Sequence, residues 1–153
     1  MTFLEHRIPP PVVGGIIGAL MWAVAPLGPA LGFSNPWRDG LALALAVAGA
    51  AIDLYCAIAF WRARTTVNPL SPARSSVLVS GGAYRFSRNP MYVGQAMVVL
   101  AWAVFLDSAW GFLGPVAFVL YLNRFQIEPE ERALEEKFGD EFRAYKASVR
   151  RWL

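Results

Sequence analysis

Val79-Ser80-Gly81-Gly82-Ala83-Tyr84-Arg85-Phe86-Ser87-Arg88-Asn89-Pro90-Met91-Tyr92-Val93-Gly94 marks the point where a basic, turn-rich loop becomes an apolar helix. Ser76-Val77-Leu78-Val79 reads as an extended piece that Gly81-Gly82 turns, and Asn89-Pro90 reads as a helix start, because proline suits the first helical position and has no N–H to leave unpaired. A second polar block, Ile127-Glu128-Pro129-Glu130-Glu131-Arg132-Ala133-Leu134 with Phe138-Gly139, answers it downstream. Between them lie two short apolar runs, Met91 to Leu106 and Ala109 to Phe125, joined by little more than Asp107-Ser108. The pattern is that of a tight hairpin bracketed by two polar blocks.

Two further apolar stretches precede the hairpin, Val12 to Leu31 and Leu41 to Phe60, each about the length of roughly 20 residues that a spanning helix needs. The chain of 153 residues is 56% hydrophobic and only 16% charged, more apolar surface than a soluble domain of this size can bury. The expectation is an all-α integral membrane protein of about four transmembrane helices, the last two a short hairpin, with a cytoplasmic loop and amphipathic C-terminal helices building the site. It is read as one domain over 1–153: an N-terminal helix pair at 12–60 and a catalytic part at 61–153, with motif blocks at 76–94 and 124–139.

Arg62, Arg64, Arg74, Arg85 and Arg88 lie between the second and third stretches. A further seven basic residues from Arg124 to Arg151 follow the fourth, while Arg38 stands alone on the other side. Since basic loops are retained in the cytoplasm, both termini and both motif blocks are expected there. The formal charge of +3 then reports topology and an attraction to membrane lipids, with no call for nucleic acid. A secretory leader ending near Ala30-Leu31-Gly32 is the weaker reading, because Pro9-Pro10-Pro11 separates Arg7 from an apolar run too long for such a leader. One cysteine, Cys56, and one histidine, His6, exclude an intramolecular disulfide, a zinc cluster and a Cys/His pair.

Gly14 and Gly18, and Ala42, Ala46, Gly49 and Ala50, give the first two helices small residues at helix-packing spacing. Asp53 is the one acid inside a span, and it has either a structural or a site role. Glu128-Pro129 reads as a new helix start, Gly139 as its end and Asp140 as the cap of another. Leu134, Phe138, Phe142, Tyr145 and Val149 supply an apolar face that would lie over whatever the two blocks build.

The residues themselves outline a ligand. A helix beginning at the membrane face offers backbone N–H groups to a carboxylate, and Gly81-Gly82 lets backbone approach a flat ligand closely. Glu130 and Glu131, about 100° apart on a helix, cannot face the same way, so one can point inward to hold an ammonium. With Tyr84 and Tyr92 for apolar contact, these features match the two ends of S-adenosylmethionine. Each also has a plain structural use as helix start, membrane anchor or dipole-compensating acid.

Together the two blocks resemble the integral-membrane methyltransferases typified by isoprenylcysteine carboxyl methyltransferase and the phospholipid N-methyltransferases. In these, Gly-x-Tyr-x-x-x-Arg-His-Pro-x-Tyr-x-Gly precedes a hairpin followed by Glu-Glu-x-x-Leu-x-x-x-Phe-Gly. The resemblance covers roughly half the chain in order and spacing. It implies cofactor contacts at Ser76, Val77, Leu78, Val79, Tyr84, Asn89, Pro90 and Tyr92, with Glu130 on the methionine amine, and it leaves Arg88 and Gln126 for the catalytic end. The chain departs from the prenylcysteine branch at Ser76 and Asn89, each a histidine there, and at Gln126, an arginine there. Gln126 offers hydrogen bonds without charge, so an ionised carboxylate acceptor is disfavoured and a lipophilic acceptor of another kind is expected. A nicotinamide-dependent membrane reductase using NADPH and a non-enzymatic membrane adaptor are the alternatives.

Overall fold

The computed structural model describes Glu5 and residues 7–33, 35–63 and 77–153, and among these the chain is helical. Helix α1 runs Pro10–Val24 and tightens into a 3-10 turn at Ala25–Leu27; α2 is Asn35–Arg62 and α3 is Pro90–Leu106. A 3-10 turn at Ala109–Phe112 leads to α4, Leu113–Leu122, followed by a π-helical turn at Asn123–Ile127, α5 at Glu128–Phe138 and α6 at Asp140–Ser148. Two segments, Pro10–Leu27 and Asn35–Arg62, are long and apolar enough to cross a membrane, and Pro90–Leu106 is a shorter apolar helix.

The first helix stops short of Leu31 because Pro26 falls in its last turn and Pro29 follows, where helix cannot continue. Its end is tied instead to the tip of the α3–α4 hairpin. Asp107 takes the left-handed conformation (φ 49°) that turns the chain, and its carbonyl accepts Leu31 N–H at 3.1 Å. Ala109 N–H reaches Pro29 O at 3.1 Å, and the Ser108 hydroxyl donates to Ala25 O at 2.9 Å.

Helix α2 packs along α3, and α1 lies against α3 and α4. The closest approach is glycine on glycine: a Cβ on Gly94 would stand 2.7 Å from Gly49 O and 2.6 Å from Asp53 Oδ1, so the backbones meet only because both side chains are absent. Val13, Met21, Tyr92, Val99, Phe118, Leu122 and Ile127 form the buried core between α1, α3 and α4. The small residues of the first two helices therefore divide. Gly49 makes a packing seam, whereas Gly15, Gly18 and Ala46 line a groove between α1 and α2 instead of joining them.

Glu128-Pro129 does not start a separate helix, as the sequence suggests. Helix α4 runs through the π turn into α5 without a break. A proline ring clashes with the carbonyl four residues back, and a π turn is wide enough to admit it. The widened turn carries Gln126 and Ile127 into the interior, both buried. Gly139, at φ 53°, separates α5 from α6; Asp140 is the first residue of α6 and binds Arg143 at 2.6 Å, so it does not cap.

Candidate functional site

The short turn Gly82–Arg85 delivers Tyr84 into the interior. Gly82 is required twice over: its φ is 61°, and a side chain there would strike the Tyr55 hydroxyl. Phe60 meets the Tyr84 ring edge-on at 5.6 Å, and the Tyr84 hydroxyl hydrogen-bonds the Cys56 thiol. Burial, with that thiol beside it, pushes Tyr84 well above the usual phenol range and keeps it protonated. Its backbone carbonyl accepts the Tyr145 hydroxyl at 2.7 Å, which docks α6 onto the motif.

Across from Tyr84, one turn into α3, the Tyr92 hydroxyl donates to Glu130 Oε1 at 2.6 Å. Gln126, one turn before Glu130 on the continuous helix, donates its amide to the same oxygen, also at 2.6 Å. Burial drives the Glu130 carboxyl up to about 7, even though both hydrogen bonds favour the charged form. Such a group stabilises the fold below its unfolded value near 4.5, and that contribution is lost as pH rises through about 7. An arriving cation would reverse the cost of ionising it. Sequence reasoning thus named four residues, Tyr84, Tyr92, Gln126 and Glu130, that the fold brings into one cluster.

The neighbouring glutamate does something else. Glu131 binds Arg88 at 2.8 Å and Arg151 at 2.7 Å, with the Arg88 and Glu131 side chains only 11% and 9% exposed. Burial alone would raise Glu131, but the hydrogen bonds from Arg151 and Arg88 bring it below the ordinary carboxylate value. Arg88 also donates to Val149 O at 2.6 Å and Lys146 O at 3.0 Å. Its guanidinium is spent on holding the C-terminal segment.

Asn89 joins the same strap. Its side-chain amide donates to Arg151 O at 2.9 Å and does not cap α3, and Arg88 N–H reaches Arg150 O at 2.8 Å. Trp152 closes the segment onto the π turn through Asn123 at 3.0 Å. Pro90 is buried at the start of α3, whose N-terminus no side chain caps. Val77, Leu78 and Val79 form a non-helical approach to Gly81-Gly82, with Leu78 and Val79 half-buried; Ser76 lies outside the described residues. Ser87, Arg151 and Trp152 are the contributors that sequence reasoning missed, and Tyr145, expected on the apolar face of the tail, binds the motif through its hydroxyl.

The arrangement is therefore a buried carboxylate, aimed by a phenol and an amide, beside an uncapped helix start and under a C-terminal strap. It can hold a cation on Glu130 and an anion on backbone N–H groups. The sequence profile of the phospholipid methyltransferase family matches residues 37–141, well over half of the chain and including Tyr84, Arg88, Asn89, Tyr92, Gln126, Glu130 and Glu131, but neither Tyr145 nor the strap. An "Uncharacterized protein" of Haemophilus influenzae is 49% identical over 63 residues, which is its full length and 41% of this chain. No solved structure matches the chain.

Proposed function

The chain belongs to the phospholipid methyltransferase family, and on that premise we propose that it transfers a methyl group from S-adenosylmethionine to a lipophilic, membrane-resident acceptor. The observation that carries the reading is Glu130: a carboxylate buried to the point of titrating near 7, yet held for use by Tyr92 and Gln126. A buried acid without a cation is costly, and the α-ammonium of the cofactor is the cation it fits. The uncapped start of α3 would receive the cofactor carboxylate, and Tyr84 and Val77 to Val79, with Ser76, would line the flat remainder. Asn89 and Pro90 would shape the same cradle from its edge.

When bound, the cofactor supplies an electrophilic methyl on a sulfonium, so the protein's work is positioning and exclusion of water. Arg88 serves that work indirectly, as a positioning residue that holds the strap over the site. Gln126 sits one turn from Glu130 and would face the acceptor with a neutral amide. Neither the reductase nor the adaptor reading gains support from the family match.

Membrane residence accounts for the outward-facing side chains: Trp22, Leu27, Leu43, Trp61 and Leu120 expose most of their surface, which suits lipid and not water. We place both termini and the site on the cytoplasmic side, from the distribution of basic residues. In a Cys56→Ser background, Pro36→Cys and Ser80→Cys should label from opposite faces of sealed vesicles. Labelling of both from one face would refute the orientation.

Gln126 decides the acceptor class. If the acceptor is uncharged at its reacting atom, Gln126→Arg buries a cation without a partner, and activity on a lipid extract should fall at least tenfold while cofactor binding stays near wild type. Robust wild-type methylation of a prenylcysteine carboxylate, or its improvement by Gln126→Arg, would assign a carboxylate acceptor instead.

A further inference from the structure

The π turn at Asn123–Ile127 holds more chain per turn than the α-helix on either side of it. Were it to relax to α-helix, the residues on one side would rotate by about 100°, the step of one residue, relative to those on the other. Both sides are fixed. Phe118 and Leu122 are fully buried upstream, and downstream Glu131 is held by Arg88 and Arg151. The turn takes up the difference, and in doing so it carries Gln126 and Ile127 inward, 2% and 0% exposed.

A wide turn is the less common winding and has to be held open. Pro129 supplies part of this, because without an N–H it makes no α-helical bond to the carbonyl of Phe125. Side chains supply the rest. Arg124 reaches Glu128 at 3.3 Å and Glu5 at 3.7 Å, but its guanidinium is half-exposed, and such pairs contribute little. Trp152 is better placed. Its indole packs against the core cluster and donates to Asn123 Oδ1 at 3.0 Å, gripping the first residue of the turn from the C-terminal strap. Within the same turn, Gln126 donates to Glu130 Oε1, the oxygen that Tyr92 also binds.

We propose that Trp152 is a positioning residue of the site: through Asn123 it sets the winding of the π turn, and so the aim of Gln126 at Glu130. The strap then does more than cover the site, since Glu130 is fully aimed only with the strap in place. The proposal rests on the methyl-transfer reading for its use, because Glu130 is there the partner of the cofactor ammonium.

Glu130 is faced by Tyr92 from α3, by Tyr84 from the motif turn, and by Gln126 and Glu131 on its own helix, while the Arg88 and Arg151 guanidinium groups are taken by Glu131. Burial holds the Glu130 carboxyl up, and the Gln126 amide works against burial. A Gln126 that drifts from its place therefore leaves the carboxyl harder to ionise, and its midpoint moves up.

The test uses the full chain in detergent, isotopically labelled at the glutamate carboxyls for carbon NMR and titrated without ligand. The Glu130 resonance is the one that Glu130→Gln removes. Trp152→Phe keeps a packed ring and deletes the N–H, and Asn123→Leu deletes its acceptor. Each should raise the midpoint above the wild type's value of about 7, lowering the acidity constant about two- to tenfold, the worth of one hydrogen bond. Trp152→Phe added to Gln126→Leu should move it no further. Affinity for S-adenosylmethionine at neutral pH should fall about two- to fivefold in both single variants, the gap narrowing as pH rises and the carboxyl ionises in all of them.

A midpoint that Trp152→Phe and Asn123→Leu leave unmoved, whatever happens to the melting temperature, makes Trp152 a structural clasp and overturns the proposal. So does a shift that Trp152→Phe adds in full on top of Gln126→Leu. If the wild type binds no S-adenosylmethionine while the midpoint still shifts, methyl transfer is lost as the use of the site and the positioning role stands.

Discussion

Replacing Glu130 with glutamine is expected to weaken S-adenosylmethionine binding by about 1.5–3 kcal/mol, the worth of a hydrogen bond to a charged group, which is roughly a 10- to 150-fold rise in Kd. Glutamine keeps the size and can still pair with Tyr92 and Gln126, so what disappears is the charge that would meet the ammonium. The wild type should also show a pH signature. With the free carboxyl near 7, protons compete with the ammonium, and affinity should fall progressively as pH drops below about 7. In Glu130→Gln that dependence should flatten. Isothermal titration at pH 6, 7 and 8 measures both effects; equal loss from Glu131→Gln, or a wild-type affinity that ignores pH, would place the ammonium elsewhere.

Arg88→Ala is expected to act on the fold. It removes one of the two cations on the nearly buried Glu131 and frees the carbonyls of Lys146 and Val149. Breaking a buried pair costs about 3–5 kcal/mol, and the low end applies because Arg151 remains. Thermal or denaturant unfolding in detergent should show a loss of about 3 kcal/mol, with cofactor affinity falling in step as the strap loosens. Arg88→Lys should recover little, since a point charge cannot serve a carboxylate and two carbonyls in one plane. A variant of unchanged stability that nonetheless lost catalysis would return Arg88 to direct contact with the reacting groups.

These two residues show what the sequence can carry. Glu130 and Tyr92 were legible because each belongs to a block whose internal spacing fixes a helix face, and the hairpin between the blocks has to bring them back together. Arg88 was legible as a member of the block but not in its job: the tail was expected over the site by its apolar face, whereas Arg88 binds the backbone carbonyls of Val149 and Lys146, which no side-chain pattern marks. The contacts of Asn89 and Ser87 with Arg151, 62 and 64 positions away, are of the same kind. Local periodicity says nothing about such pairings.

The helices were readable for a similar reason. Apolar runs placed α3 and the end of α2 within a few residues, whereas α2 begins well before Leu41 and α1 ends at Val24, short of Leu31. The π turn at Asn123–Ile127 was not readable, since π and α helix draw on the same composition; only Pro129, misread as a fresh start, hinted at it. The splaying of α1 from α2 was hidden as well. Small residues at four-residue spacing serve a packing seam at Gly49 and a groove wall at Gly15 and Gly18, and only the third helix decides between them.

The central claim is that this site takes S-adenosylmethionine. Equilibrium binding of S-adenosylmethionine and of NADPH to the full chain, purified in detergent, measures it most directly. Saturable one-to-one binding of S-adenosylmethionine, weakened by Glu130→Gln, with no binding of NADPH, is the result expected. Saturable NADPH binding without any for S-adenosylmethionine would contradict it.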